Sequence, residues 1–325
     1  MSTENPGSTD DLAGWTPIRV SNGAHGLLVD WCFTEGVAFD DPFFDQTVER
    51  CLRHPFRLLF RRTTSIDVLG ELVARGGARA PSGLVLHLSR SGSTLVAQMF
   101  AKRGDTHVVS EAGPLDTVMR APAAADLRAQ WLRWTAAALR RPGADRPYYV
   151  LKLDAWAVLE LPLLRQAFPG VPWVFVYRDP VEVLVSQERH RGFHMMPSGL
   201  PPAAVGFDAD QVASMSMTEY GAAVLGRIAS AGAAAADDPL GLLVNYDELP
   251  TAVERIAAHF GIPVDERART AMTSAAGRDV KNGVLPFADD RAAKQRAAGD
   301  ELRSAVDRWV AQPYRQLECI RVGMR

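Results

Sequence analysis

The chain has 325 residues, enough to bury a substantial core in one large domain or two small ones. Its apolar (47%) and charged (23%) fractions are ordinary for a globular protein, and a formal net charge of −2 argues against bulk electrostatic binding to nucleic acid or an anionic membrane. Three widely spaced cysteines (Cys32, Cys51 and Cys319) form neither a metal-ligand cluster nor a disulfide framework, which suits a reducing compartment.

The first 13 residues are polar and acidic, unlike a signal or transit peptide, and read as disordered. No apolar run is long enough to span a bilayer, so the expected compartment is the cytoplasm. Residues 15–80 mix short apolar pieces with Phe43-Phe44 and a basic stretch from Arg53 to Arg62; Val48, Leu52, Phe56, Leu58 and Leu59 give a partly helical face. Residues 1–80 carry no assignable motif and read as a mixed N-terminal extension packed on a main domain of residues 81–325. Turn formers at 75–83 mark the break.

Beyond the break, apolar strands near 84–88, 106–109, 148–153, 172–177 and 241–245 are expected. Helices are expected near 93–103, 123–141, 157–168, 180–190, 251–260 and 300–312. The alternation predicts an α/β fold, a parallel sheet covered on both faces, with ligands at the carboxyl ends of its strands. Residues 191–218, rich in Gly, Pro, Met and Phe, read either as a poorly packed surface excursion or as a lid over an acceptor site. The Ala-rich run 229–236 reads as a helix end with a small-residue packing face.

The most informative stretch is His87-Leu-Ser-Arg-Ser-Gly-Ser-Thr94, between the first of these strands and its helix. A tight loop of small hydroxylated residues there turns backbone N–H groups and the positive end of a helix dipole toward one point, which makes an anion cradle. On the G-x-x-x-x-G-K-[ST] frame of nucleotide triphosphate sites, Gly92 and Thr94 fit, while His87 replaces the first Gly and Ser93 the Lys. The cation has moved inside the loop, to Arg90. A second site closes the run Pro172–Tyr177: Arg178-Asp179-Pro180 opens a helix that carries Ser186. Arg178 and Ser186 are placed to clasp a second phosphate. Taken singly, the first motif is also compatible with a polar surface loop and the second with a strand-to-helix turn bearing a solvated Arg.

Together, Arg90-Ser91-Gly92-Ser93-Thr94 and the Arg178/Ser186 pair eight positions apart resemble the sulfotransferase family, which transfers a sulfuryl group from 3′-phosphoadenosine 5′-phosphosulfate (PAPS) to an acceptor. The resemblance runs from about Pro81 to the C-terminus. It implies that Ser89 to Thr94 bind the 5′-phosphosulfate and that Arg178 and Ser186 bind the 3′-phosphate. In the protein-tyrosine branch of the family a catalytic Glu follows the next strand, and Glu111, 21 residues beyond Arg90, matches that placement. The cytosolic branch has a Lys-Thr-His segment with His as base. Here Lys152 matches its Lys, whereas Asp154 stands in place of the His. A late basic loop that closes over the 3′-phosphate and adenine in the family is matched by Arg278 and Lys281, for which solvated surface charge is the other reading.

Glu111 is thus the expected general base and Asp154 the alternative, with Lys152 a cation near the leaving group or a snorkelling strand-end Lys. Glu111 also fits a carboxylate satisfying the turn that follows it. His107 precedes two valines and reads as structural; His87 and His194 come next as activating groups. Asn245 to Pro250 reads as a strand-to-helix corner, and Trp309 and Tyr314 as packing anchors. The expected activity is transfer to a hydroxyl of a small molecule or peptide, without divalent metal. Two other readings remain: a P-loop kinase using ATP and Mg²⁺, with Thr94 and Asp154 on the metal side, and a catalytically silent nucleotide-binding protein of the same fold. Acceptor pockets are built from variable loops, so the acceptor is not legible.

Overall fold

The computed structural model describes residues 12–77, 79–140, 146–276 and 290–323. Five strands form one all-parallel sheet: β4 (Gly83–His87), β5 (Thr106–Ser110), β6 (Tyr148–Lys152), β7 (Trp173–Tyr177) and β8 (Gly241–Asn245). Their spatial order is β5-β6-β4-β7-β8. All five expected strands are present, displaced by a residue or so at most ends.

The strands form here because their residues are apolar on both sides. Leu84, Leu86, Trp173, Phe175 and Tyr177 point into one core and Val85, Val174, Val176 and Val244 into another. The helix Ser93–Lys102 that follows β4 supplies Leu95, Val96, Met99 and Phe100 to the second core, while the helix Pro180–Arg189 that follows β7 supplies Val183, Leu184 and Val185 to the first. The chain therefore leaves adjacent strands β4 and β7 toward opposite faces, which opens a crevice at their carboxyl ends.

The N-terminal region holds an antiparallel sheet in the order of β1 (Trp15–Gly23), β2 (Gly26–Phe33) and β3 (Arg62–Ser65). Ile18, Val20, Val29 and Trp31 join the same core as the first face of the parallel sheet. The expected helical face at 48–59 is two pieces, Phe44–Leu52 and Pro55–Leu59, because Arg53-His54 interrupts it before Pro55. Val48 is buried, but Phe56, Leu58 and Leu59 are exposed.

Two other elements differ from expectation. The segment 157–168 begins as a 3₁₀ turn, Ala155–Glu160, before the helix Leu161–Ala167, since Pro162 sits best in a helix's first turn. The C-terminal helix ends at Trp309 and a further helix, Ala311–Gly323, follows. The Ala-rich run is, as expected, a helix end: it forms the last turns of the 18-residue helix Met217–Ala234. Within it Gly226 and Gly232 allow close approach: a Cβ there would stand 2.2 Å from the Trp309 carbonyl oxygen and 2.6 Å from the Phe175 ring. Among the described residues no helix is long and apolar enough to cross a membrane.

Candidate active site

The loop after β4 turns on left-handed backbone. Ser89 (φ 60°), Arg90 (φ 45°) and Glu111 (φ 50°) are the non-glycine residues with positive φ among those described, and all lie at the carboxyl edge of β4 and β5. L-residues populate this region sparsely, at a cost of about 1–2 kcal/mol each. Gly92 (φ 87°) completes the turn, and a Cβ there would stand 2.8 Å from Tyr246 and Leu249. The Ser91 hydroxyl, fully buried, donates to the Val176 carbonyl at 2.7 Å and pins the loop to β7. Gln187 Nε2 donates to Ser89 Oγ at 2.7 Å, and its Oε1 accepts from the Gly192 N–H at 2.8 Å. Ser93 is buried and begins the helix, and Thr94 follows it half-buried. Arg90 donates to the His190 carbonyl.

Glu111 lies one residue past β5, its N–H bonded to the Lys152 carbonyl at 2.7 Å. Its carboxylate accepts a hydrogen bond from Lys152 Nζ, whose side chain is fully buried. His87 Nε2 stands 3.2 Å from the same oxygen and 3.0 Å from the Leu153 carbonyl. His87 Nδ1 accepts from the Ser89 N–H at 3.0 Å, which puts the ring proton on Nε2, facing Glu111. Burial, then the Lys152 charge, push His87 down, so the ring stays neutral. Burial pushes the Glu111 carboxyl up, but Lys152 and then His87 more than reverse this and hold it well below the usual range. Asp154 is pushed up to about 8, by burial first and then by Glu111 and Asp116, so it keeps its proton at neutral pH. Phe43, from the N-terminal region, lies with its ring centroid 5.3 Å from Lys152 Nζ.

His194, on the 3₁₀ turn Phe193–Met195, faces this group. Burial, then His87, push it down to about 4, and its Nε2 is buried without a hydrogen-bond partner. The surrounding segment is better packed than a loose excursion: Met195, Leu200, Val205 and Phe207 are buried, while Phe193 and Met196 are exposed.

The corner after β7 differs. Arg178 is buried, with Nε donating to Glu182 at 2.6 Å and a terminal nitrogen to Asp290 at 3.0 Å, its guanidinium 4.0 Å from the Tyr246 ring centroid. Lys294 is buried in the same cluster, 2.8 Å from Asp290. Ser186 lies half-buried two turns into the helix Pro180–Arg189. The corner from Asn245 is more than a turn, since Tyr246 carries Arg178. His107 is structural, bonded to the Leu139 carbonyl at 3.1 Å. Trp309 and Tyr314 pack edge-on against Phe207 and Tyr177. Arg278 and Lys281 lie outside the described residues.

The structure thus brings Ser89, Arg90, Glu111, Lys152 and Asp154 to one edge and Arg178 to the neighbouring one. Gln187 and Lys294 were not legible as site residues. Gln187 follows the expected phosphate ligand Ser186 by one position, which was the available signal; Lys294 reaches the site only through tertiary packing.

No protein-family model and no curated protein matches the chain. Solved structures resemble it at a distance. Sulfotransferase STF9 from Mycobacterium avium is 12% identical with a TM-score of 0.43, over 63% of this chain and 71% of that one. The sulfotransferase domain from the curacin biosynthetic pathway is 14% identical with a TM-score of 0.43, over 75% and 98%. Retinol dehydratase, solved with androsterone and the inactive cofactor PAP, is 15% identical with a TM-score of 0.40, over 72% and 81%. Likeness at this distance is of overall arrangement and says nothing of chemistry.

Proposed function

We propose that the protein is a PAPS-dependent sulfotransferase that moves a sulfuryl group onto a hydroxyl of a small-molecule or peptide acceptor. The observation that carries this reading is the convergence of Ser89, Arg90 and Glu111, all in left-handed backbone, on one strand edge where Lys152 is buried against Glu111. Such backbone persists where its surroundings over-determine it, and such positions collect at active sites. Ser93 at the position of the P-loop lysine speaks against a triphosphate ligand.

In this reading Ser89 to Thr94 hold the 5′-phosphosulfate through loop amides and Arg90. Arg178 and Ser186, with Lys294 near Arg178, hold the 3′-phosphate. The acceptor oxygen attacks sulfur, the bond from sulfur to the bridging phosphate oxygen breaks, and the hydroxyl proton passes to Glu111. Lys152 serves two anions in turn. While it sits on Glu111 the carboxylate is a weak base. Lys152, once turned to the leaving phosphate, leaves burial as the main influence on Glu111, and burial raises its proton affinity. His87 positions Glu111, protonated Asp154 is suited to donate a hydrogen bond, and His194 is suited to orient the acceptor. No divalent metal is required.

The test is titration with 3′,5′-adenosine bisphosphate and with ATP/Mg²⁺, followed by release of that bisphosphate from PAPS in the presence of hydroxyl acceptors. Affinity for the bisphosphate and acceptor-dependent release are expected. Affinity for ATP/Mg²⁺ alone would overturn the proposal in favour of a phosphotransferase.

A further inference from the structure

Ten large apolar residues are exposed on the described surface, and four of them fall within five consecutive positions: Phe56 (54% exposed), Leu58 (45%), Leu59 (76%) and Phe60 (58%). They form the short helix Pro55–Leu59 and its end, with the Phe56 and Phe60 rings 4.5 Å apart. Of the other six only Phe193 and Met196 are neighbours in the chain, and neither has a basic cluster around it like that at 53–62. This ledge is also the most cationic part of the chain. Arg53, Arg57, Arg61 and Arg62 lie within ten positions, and no acidic residue occurs between Glu49 and Asp67. Arg53 and Arg61 are exposed, as the apolar residues are.

We propose that this ledge docks the protein on an anionic lipid bilayer, with Phe56, Leu59 and Phe60 entering the interface and Arg53, Arg57 and Arg61 meeting the headgroups. Large apolar side chains interleaved with arginines on one exposed turn match a negatively charged interfacial surface in both chemistry and sign. A second copy of the chain fits less well. A two-fold contact would set these arginines against each other, and four partly exposed side chains present well under the ~800 Å² per partner of a stable interface. The whole-chain charge of −2, which argued against membranes, conceals this local excess. The helix Phe44–Leu52 begins next to Phe43 at the candidate site and ends just before the ledge, about 13 Å of helix away. Docking would thus hold the acceptor side of the site close to the bilayer. The inference does not depend on the transfer reaction.

The experiment is flotation of the full-length protein with vesicles of phosphatidylcholine alone and of phosphatidylcholine containing 30% phosphatidylserine, at about 50 and 500 mM salt. Binding only to the anionic vesicles is expected, weakened by salt. Leu59→Ser with Phe60→Ser should abolish it, and Arg53→Ser with Arg61→Ser should weaken it roughly five-fold per arginine. These exposed positions should leave the thermal transition and any bisphosphate affinity unchanged. No binding by the folded wild type, or equal binding by either folded double variant, overturns the proposal. So does a concentration-dependent dimer that Leu59→Ser with Phe60→Ser dissolves without any vesicle binding.

Discussion

The loop after β4 and the corner after β7 are both strand-to-helix junctions at the same sheet edge, yet they are prepared for an anion in opposite ways. The first is shaped in its backbone. Ser89, Arg90 and Gly92 take left-handed conformations, and Ser91 and Gln187 fix them there, so the geometry exists before any ligand arrives. The second is shaped in its side chains. Arg178 has ordinary backbone, but its guanidinium already faces Glu182, Asp290 and the Tyr246 ring. A phosphate at the loop meets backbone already turned for it, whereas a phosphate at the corner must take a cation from a carboxylate. Affinity at the loop is therefore stored as strain, and at the corner it is limited by exchange.

The largest expected effect lies beside the loop, at the end of β5, and bears on the reaction rather than on the anion contacts. Glu111→Gln should lower turnover about 10²–10⁴-fold without weakening bisphosphate affinity, which holds or rises a few-fold, because the amide loses the base and releases Lys152. A smaller loss than in Asp154→Asn at equal folding would transfer the base to Asp154. At the corner, Arg178→Ala should weaken bisphosphate binding by about 1.5–3 kcal/mol, read by calorimetry. Asp290→Asn should do the reverse and tighten it a few-fold, since one competitor for Arg178 has lost its charge. Unchanged affinity in Asp290→Asn would show that the corner is not limited by exchange.

Asp154 gives the next effect. Its pKa rises on folding, from near 4 to about 8, so the folded state holds a proton that the unfolded state has released. Its contribution to stability therefore falls as pH rises from about 4 to about 8. Asp154→Asn should be more stable than wild type at pH 9, and show no such gain near pH 4, in urea unfolding. The smallest effect separates the two junctions by sign. Arg90→Gly should be more stable than Arg90→Ala by about 1 kcal/mol, whereas Arg178→Gly should be less stable than Arg178→Ala by up to about 1 kcal/mol. Equal signs would mean that the loop is not strained.

The parallel sheet was legible because each strand is an apolar run of about five residues, buried on both faces, and tertiary context has little to override there. The strands β1 and β2 were not. Their burial is uneven, and β1 shifts register between Pro17 and Arg19, so no clean alternation marks them. At the site, residues that meet a strand end within a few positions (Arg90, Glu111, Lys152 and Asp154) could be placed from local order alone. Phe43 and Lys294 could not, because they arrive from elements whose packing no local pattern encodes, while Gln187, on an expected helix, stands beside Ser186 without a motif of its own. The engagement of Arg178 by Glu182, four positions on, and by Asp290, 112 positions away, was not read from the sequence, which left Arg178 to a phosphate or to solvent.

The long helix Met217–Ala234 lies so close to β7 and to Trp309 that Gly226 and Gly232 have no room for a methyl group. This bears on how the protein tolerates change over generations. In a library of random variants scored only for soluble expression, these two glycines should be among the most depleted positions, although neither lies at the proposed chemistry. A lineage of this fold would be free to exchange acceptor-facing loops and so alter its substrate, while this seam between helix and sheet stayed fixed.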